Sequence, residues 1–202
     1  MPLANTAIVL DFETTGLSPD MGDRAIEIGA VKIVDGKIVD NFQALMNPGR
    51  RVNSFIESYT GISNAMLAKA EPCEVVMQRF ADFCQNFNLV AHNASFDKKF
   101  LDAEFKRINH HYQGQFACSL LLSRRISQQA PNHKLATLVE YHQLSTDGLF
   151  HRALADATMT GHLWLQQLSH IEQHCKKPLS FDAIMKLTRV PKAQIYRYLT
   201  QL

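Results

Sequence analysis

The order of apolar and helical segments predicts an α/β fold: a mixed β-sheet flanked by helices, with a short helical tail. Three observations carry this prediction. Three apolar-rich runs open the chain, two of them flanking an Asp-Gly pair. Short apolar runs then alternate with stretches of helical periodicity, and from about residue 119 helical periodicity dominates.

Residues 6–11 (TAIVLD) are an apolar run ending in an acid, the pattern of a buried strand with a carboxylate at its C-terminal end. Residues 25–34 and 37–45 flank Asp35-Gly36, a strong hairpin signal between two such runs. Together these predict a meander of three antiparallel strands. Ser63 is placed to cap a short helix over 64–69. Pro72 opens the next helix, in which Val75, Val76, Phe80 and Phe83 recur at helical spacing. Residues 88–92 predict a fourth strand, 95–108 a helix with Phe96, Phe100, Leu101 and Phe105 on one face, and 116–118 a fifth strand. Helices follow at about 119–128, 134–143 and 152–171. Lys176-Lys177-Pro178 marks a break. Beyond it, Phe181, Ile184 and Leu187, a turn at 188–191, and Ile195, Tyr198 and Leu199 predict two short amphipathic helices. The expected organisation is a domain over 1–175 and a C-terminal extension over 178–202. The extension resembles a helix-turn-helix pair, with Arg189 where that turn often carries glycine, but a short helix pair packed on its own domain is the more common use of such a pattern.

The 202 residues suit one domain of ordinary size. With 46% hydrophobic and 20% charged residues, the chain can bury a sizeable core and is not a disordered one. A net charge of +2 neither favours nor excludes nucleic acid, so any basic groove must be local. The N-terminus lacks a basic n-region, and Asp11 interrupts its apolar run, so it does not resemble a signal peptide. No stretch approaches the roughly 18 apolar residues of a membrane span. Cys73, Cys84, Cys118 and Cys175 form no C-x-x-C pair, and reduced thiols in a cytoplasmic protein are expected.

Three short motifs carry chemistry. In Asp11-Phe12-Glu13, alternation along a strand points both carboxylates to one side. Two like charges about 4 Å apart cost about 4 kcal/mol at an effective dielectric near 20. Such a pair requires a cation or a proton, and all-oxygen ligation suits Mg²⁺ or Mn²⁺. In His92-Asn93-Ala94-Ser95-Phe96-Asp97, an apolar strand feeds a polar turn, and Asp97 sits in the first turn of a helix. That position suits an acid facing the helix dipole, and equally a third carboxylate at a strand's C-terminal end. In the third motif Asp156 lies within a helix whose Ala153, Ala155 and Ala157 permit close approach to a sheet, and His151 lies five residues earlier.

The stretches D-F-E-T-T-G at 11–16, A-H-N-A-S-F-D at 91–97 and H-R-A-L-A-D-A at 151–157 resemble, in order and separation, the three exonuclease motifs of the DEDD superfamily. The histidine five residues before the last aspartate resembles the DEDDh, or DnaQ-like, 3′–5′ exonuclease family. Residues 26–31, 60–63 and 134–138 add shorter matches, and the resemblance covers roughly residues 5–170. It implies a ribonuclease-H-like fold with a five-stranded mixed sheet.

The resemblance also implies two divalent cations, Mg²⁺ or Mn²⁺, held by Asp11, Glu13, Asp97 and Asp156. Asp11 bridges both, Glu13 and Asp156 hold the one nearer the attacking water, Asp97 supports the other, and His151 is the general base. Backbone at Phe12, Thr14 and Thr15 holds the terminal nucleotide, Leu17 wedges between the last two bases, and Asn93 and Phe96 are further candidate contacts. The expected reaction releases nucleoside 5′-monophosphates from single-stranded or mispaired DNA 3′ ends, alongside a polymerase or repair partner. An RNA exonuclease is the alternative, and a non-catalytic binding module a remote one. Lys98, Lys99, Arg50, Arg51, Arg124 and Arg125 are candidate phosphate contacts, though each taken alone reads more readily as a solvated surface charge. Glu27 is expected beside the site in a structural role. The sequence leaves the oligomeric state open.

Overall fold

The computed structural model describes residues 2–145, 151–175 and 178–201. Its strands are β1 (Ala7–Thr14), β2 (Ala25–Val34), β3 (Lys37–Asn47), β4 (Glu71–Pro72), β5 (Leu89–Ala91) and β6 (Phe116–Cys118). Its α-helices are α1 (Ser54–Thr60), α2 (Asn64–Leu67), α3 (Cys73–Cys84), α4 (Ser95–Arg107), α5 (Ser119–Ile126), α6 (Leu135–Tyr141), α7 (Ala153–Glu172), α8 (Phe181–Leu187) and α9 (Ile195–Leu199).

The strands form one mixed sheet in the order β4-β3-β2-β1-β5-β6. The meander β1-β2-β3 is antiparallel, and β5 and β6 run parallel to β1. Six strands therefore stand where five are expected. The extra one, β4, pairs with β3 only through Glu71 and Pro72. Proline at the start of a helix and proline on a sheet edge share one pattern, because neither position needs the missing N–H. α1 is also unforeseen. Asn53 caps it by accepting from Ile56 N, and Gly61 ends it at φ 71°.

Side-chain alternation along β1 divides the core. Ile8, Leu10 and Phe12 face α3 and α4, packing with Phe80, Phe100, Leu101 and Phe105. Ala7 and Val9 face the other way, with Val31, Ile33, Trp164 and Leu168. Asp11 and Glu13 continue that second row, so the face covered by α7 is apolar at its start and acidic at its end.

The tail helices belong to this second face. Phe181, Ile184, Leu187, Ile195 and Leu199 are buried in the same cluster as Trp164. Phe181 N–H donates to Pro2 O (3.0 Å), and Ala4 N–H to Leu179 O (2.8 Å), tying the tail to the chain's beginning. Burying a side chain such as Phe181 contributes roughly 1.5–3 kcal/mol. The apolar positions that resemble a helix-turn-helix thus serve intramolecular packing. Part of the expected break, Lys176-Lys177, lies outside the described residues. All four cysteines are free thiols. Among the described residues no helix is long and apolar enough to cross a membrane.

Candidate active site

The acidic end of β1 meets the start of α7 because β2 allows it. Asp11 stands opposite Gly29 and Glu13 opposite Glu27 in the β1–β2 register. A Cβ on Gly29 would lie 2.1 Å from Leu154 N and 2.2 Å from the Ala153 carbonyl carbon. Only glycine lets the first turn of α7 come down onto the strand. Glu27, fully buried, then anchors that turn. It accepts from Ala153 N (3.1 Å), from both Nε (3.1 Å) and an Nη (2.8 Å) of Arg152, and from Gln43 Nε2 (3.0 Å). The carboxylate acts as a helix cap supplied by another strand, and its role is structural as expected.

This docking brings Asp156 to β1. Carboxylate oxygens of Asp11, Glu13 and Asp156 lie within 4.8 Å of one another. Asp97 arrives from the opposite side. β5 pairs with β1 only at Ile8 and Val9, so Phe12 N–H is beyond its reach. Asp97, in the first turn of α4, accepts that N–H through Oδ1 at 3.2 Å. Asn93 makes the turn between β5 and α4 with φ 67°, in the left-handed region that asparagine tolerates.

The four carboxyl groups are short of compensating charge. Burial, and then the repulsion of Asp97, Asp156 and Glu13, hold Asp11 well above the usual carboxylate range. Burial and then Asp156 push Glu13 up to about 8. Burial pushes Asp97 up to about 7, against the opposing hydrogen bond from Phe12. Burial raises Asp156 as well, despite the N–H of His151. A divalent cation removes this frustration. Hard oxygen donors at such spacing suit Mg²⁺ or Mn²⁺, so the residues fit the metals that the motifs imply.

His151 sits at φ 63°, a conformation costly for a non-glycine residue. Its N–H donates to Asp156 Oδ2 (3.0 Å), and its ring packs on Tyr59 with centroids 4.2 Å apart. Asp156 thus joins the carboxylate cluster to the histidine.

A cavity of about 700 Å³ opens over these groups. It is lined by Asp11, Glu13, His151 and Asp156, and by Phe12, Thr14, Thr15, Leu17, Asn93 and Phe96. Of the carboxylates, the histidine and the nucleotide contacts expected from the sequence, only Asp97 is missing from this lining, and none of the six candidate phosphate contacts reaches it. The loop after β1 is tightly pinned. Thr15 Oγ1 donates to Asp23 Oδ1 (3.0 Å), and an Arg50 Nη contacts both Thr15 Oγ1 and Asp23 Oδ1 at 2.6 Å. A Cβ on Gly16 would meet Asp23 Oδ2 at 2.4 Å. This loop holds Leu17 out at the cavity mouth, 80% exposed.

Sequence reasoning missed the opposite wall, which α1 supplies through Phe55, Ile56, Tyr59 and Thr60, with Asn53 at its cap. A signal was present: a capping asparagine, apolar residues at helical spacing and a terminal glycine. Phe55 and Tyr59 stack at 5.8 Å and are both exposed.

Comparisons with known proteins agree with this geometry. The exonuclease family model (RNase_T) matches residues 8–163. The DNA polymerase III PolC-type protein of Caldanaerobacter subterraneus subsp. tengcongensis is 39% identical over 166 residues, covering 82% of this chain and 12% of that protein. The 3′–5′ exonuclease DinG of Bacillus subtilis is 36% identical over 187 residues, covering 91% of this chain and 19% of that protein. The chain therefore spans only a small part of the length of these relatives. Exonuclease X in complex with 5′ overhanging duplex DNA is 25% identical with a TM-score of 0.63, covering 96% of this chain and 99% of that one. The nuclease domain of 3′hExo, a DEDDh family member bound to rAMP, shares the fold at 20% identity and a TM-score of 0.68, covering 82% of this chain and 92% of that one. By its motifs, its fold and the match over residues 8–163, this chain belongs to the exonuclease family.

Proposed function

We propose that this chain is a metal-dependent 3′–5′ exonuclease that releases nucleoside 5′-monophosphates from single-stranded or mispaired DNA ends. The convergence of Asp11, Glu13 and Asp156 within 4.8 Å, beside a histidine, carries this reading. The DNA polymerase III PolC-type relative supports DNA as substrate and a polymerase as partner, with a repair protein as the alternative, and the 3′–5′ exonuclease DinG supports the direction of digestion.

Asp11, Glu13 and Asp156 would hold one divalent cation, and Asp11 with Asp97 a second. Bound there, such a pair stabilises the attacking and leaving oxygens of an in-line displacement. The chain's own residues do the rest. Phe12, Thr14 and Thr15 present backbone to the terminal nucleotide, and Leu17 projects where the last two bases separate. Asn93 and Phe96 line the side reached from β5. Contacts of this kind accept any base. His151 takes the proton of the attacking water, with Asp156 holding its backbone in place. An imidazole with a free ring nitrogen is a side chain suited to accepting a proton from water.

The test is digestion of end-labelled single-stranded DNA, mismatched duplex and RNA of the same sequence, with Mg²⁺ or Mn²⁺. Stepwise loss from the 3′ end of DNA is expected, abolished by EDTA and by Asp156→Asn. Undiminished digestion in EDTA, or by the Asp156→Asn protein, would refute the metal mechanism. Faster digestion of RNA would move the substrate assignment to RNA.

A further inference from the structure

A second cavity, of about 560 Å³, adjoins the first. It is lined by His92, Asn93, Leu120, Arg124, Asn132, His133 and Lys134, and Asn93 lines both. The first cavity is ringed by carboxyl groups; the second has no acid in its lining. Most other cations near an acid are already engaged. Arg24 pairs with Glu104 and Glu74, Arg50 with Asp23, Lys98 with Asp102, and Arg152 with Glu27. Among the described residues, Arg124 and Lys134 have no carboxylate within 4.0 Å, and both are exposed. Of the cations that the sequence offered as phosphate contacts, Arg50 and Lys98 are therefore engaged; Arg51, Lys99, Arg124 and Arg125 pair with no carboxylate among the described residues, and of these Arg124 alone lines this cavity.

The cavity is also built rather than incidental. His92 bridges its floor, with Nδ1 on Ser119 Oγ (2.8 Å) and Nε2 on His133 O (2.9 Å). Asn132 Oδ1 accepts from Lys134 N (2.9 Å), which fixes the loop before α6. The tail closes in from beyond: Gln128 Nε2 donates to Lys192 O (3.2 Å). Arg124 and Lys192 both bear electrostatically on His133, so the tail adds positive charge to the same region.

We propose that this basic cavity is a track for the phosphodiester backbone of the single strand that trails the terminal nucleotide. Arg124 and Lys134 neutralise consecutive phosphates, and Asn93 stands at the junction with the acidic cavity. This inference rests on the nuclease reading for its direction. A strand whose 3′ end lies over Asp11 must leave the cavity. The Asn93 side leads its phosphates from carboxylates to cations that pair with no acid among the described residues, whereas the α1 side presents aromatic rings. The ligand chemistry is a phosphate backbone, common to DNA and RNA.

The experiment measures binding in EDTA, where no turnover is needed. Fluorescence anisotropy follows a labelled single-stranded 20-mer, as DNA and as RNA, across a salt series. The Arg124→Gln/Lys134→Gln protein is compared with wild type and with Lys37→Gln, which removes an exposed charge from the hairpin. Two lost contacts should weaken binding about tenfold or more at moderate salt. They should also flatten the slope of log K against log salt by roughly 1.4. Lys37→Gln should change neither. The double variant binding with wild-type affinity and slope overturns the proposal, as does equal weakening by Lys37→Gln. A loss confined to RNA or to DNA assigns the track to that strand. Hydrolysis of thymidine 5′-p-nitrophenyl phosphate, which has no trailing strand, reports separately on the carboxylate centre. Its failure in wild type would count against the nuclease reading, while the binding result would still decide the track.

Discussion

Replacing Gly29 by alanine tests how the site is assembled. The new Cβ would lie 2.1 Å from Leu154 N, whereas ordinary contact begins near 3.4 Å. The first turn of α7 must therefore retreat by more than 1 Å, because the obstacle is backbone and no rotamer change relieves it. That turn carries the Ala153 N–H held by Glu27, and Asp156 lies within the same turn. Overpacking of this kind costs roughly 1–3 kcal/mol. For a chain of this size the melting midpoint should fall by roughly 2–4 °C per kcal/mol. A misplacement of about 1 Å in catalytic geometry costs on the order of 100-fold in rate. The assay pairs kcat on single-stranded DNA with the midpoint measured with and without Mn²⁺. Gly161→Ala is the control. Its Cβ would meet side-chain methyls and no backbone, Val31 Cγ2 at 3.1 Å and Ile33 and Ile38 Cδ1 at 3.7 and 3.8 Å, so a shift of a few tenths of an ångström should keep it near wild type. A Gly29→Ala protein with wild-type rate and midpoint would refute the claim that this glycine sets the position of Asp156.

Two further outcomes are expected. Glu13 and Asp97 are raised from 4.5 to about 8 and from 3.8 to about 7, so the fold favours their protonated forms. Their contribution to stability is full below about pH 4 and is lost as pH rises toward 8. Metal-free protein should therefore lose stability over that window while Mn²⁺ restores it. The gap between melting midpoints in Mn²⁺ and in EDTA should widen from pH 5 to pH 8, and a constant gap would count against a shared cation site. His151→Ala should lower kcat by about 10²–10⁴-fold and leave melting nearly unchanged, because its ring meets Tyr59 at the exposed rim of the cavity. Unaltered turnover in that variant would remove His151 from the mechanism.

Much of this architecture was legible in the sequence because local rules govern it. Asp35-Gly36 marked the hairpin, and the third strand begins at Lys37 as read. Residues 116–118 form the strand expected of them. α1 and β4 escaped the reading for different reasons. α1 carries a cap, a spacing and a stop signal, but over seven residues only Ile56 packs on the core while Phe55 and Tyr59 stay exposed, so the signal is weak. β4 is two residues long and exists only through its pairing with β3.

The family and its metals were implied by the resemblance of three motifs; by itself the sequence determined which carboxylates and which histidine lie at strand ends and helix starts. Residue type and alternation suffice for that, since both act within a few residues of chain. Only the tertiary structure decided how the groups meet and which cations remain available. Gly29 and Glu27 act on a helix more than a hundred residues away. Arg50 and Arg124 look alike in the sequence, yet Asp23 engages the first and no carboxylate of the described chain engages the second. The tail's apolar residues likewise had no partner in the local pattern, and the fold buries them in the cluster of Trp164. Such outcomes follow from long-range packing and charge pairing, which no local pattern encodes.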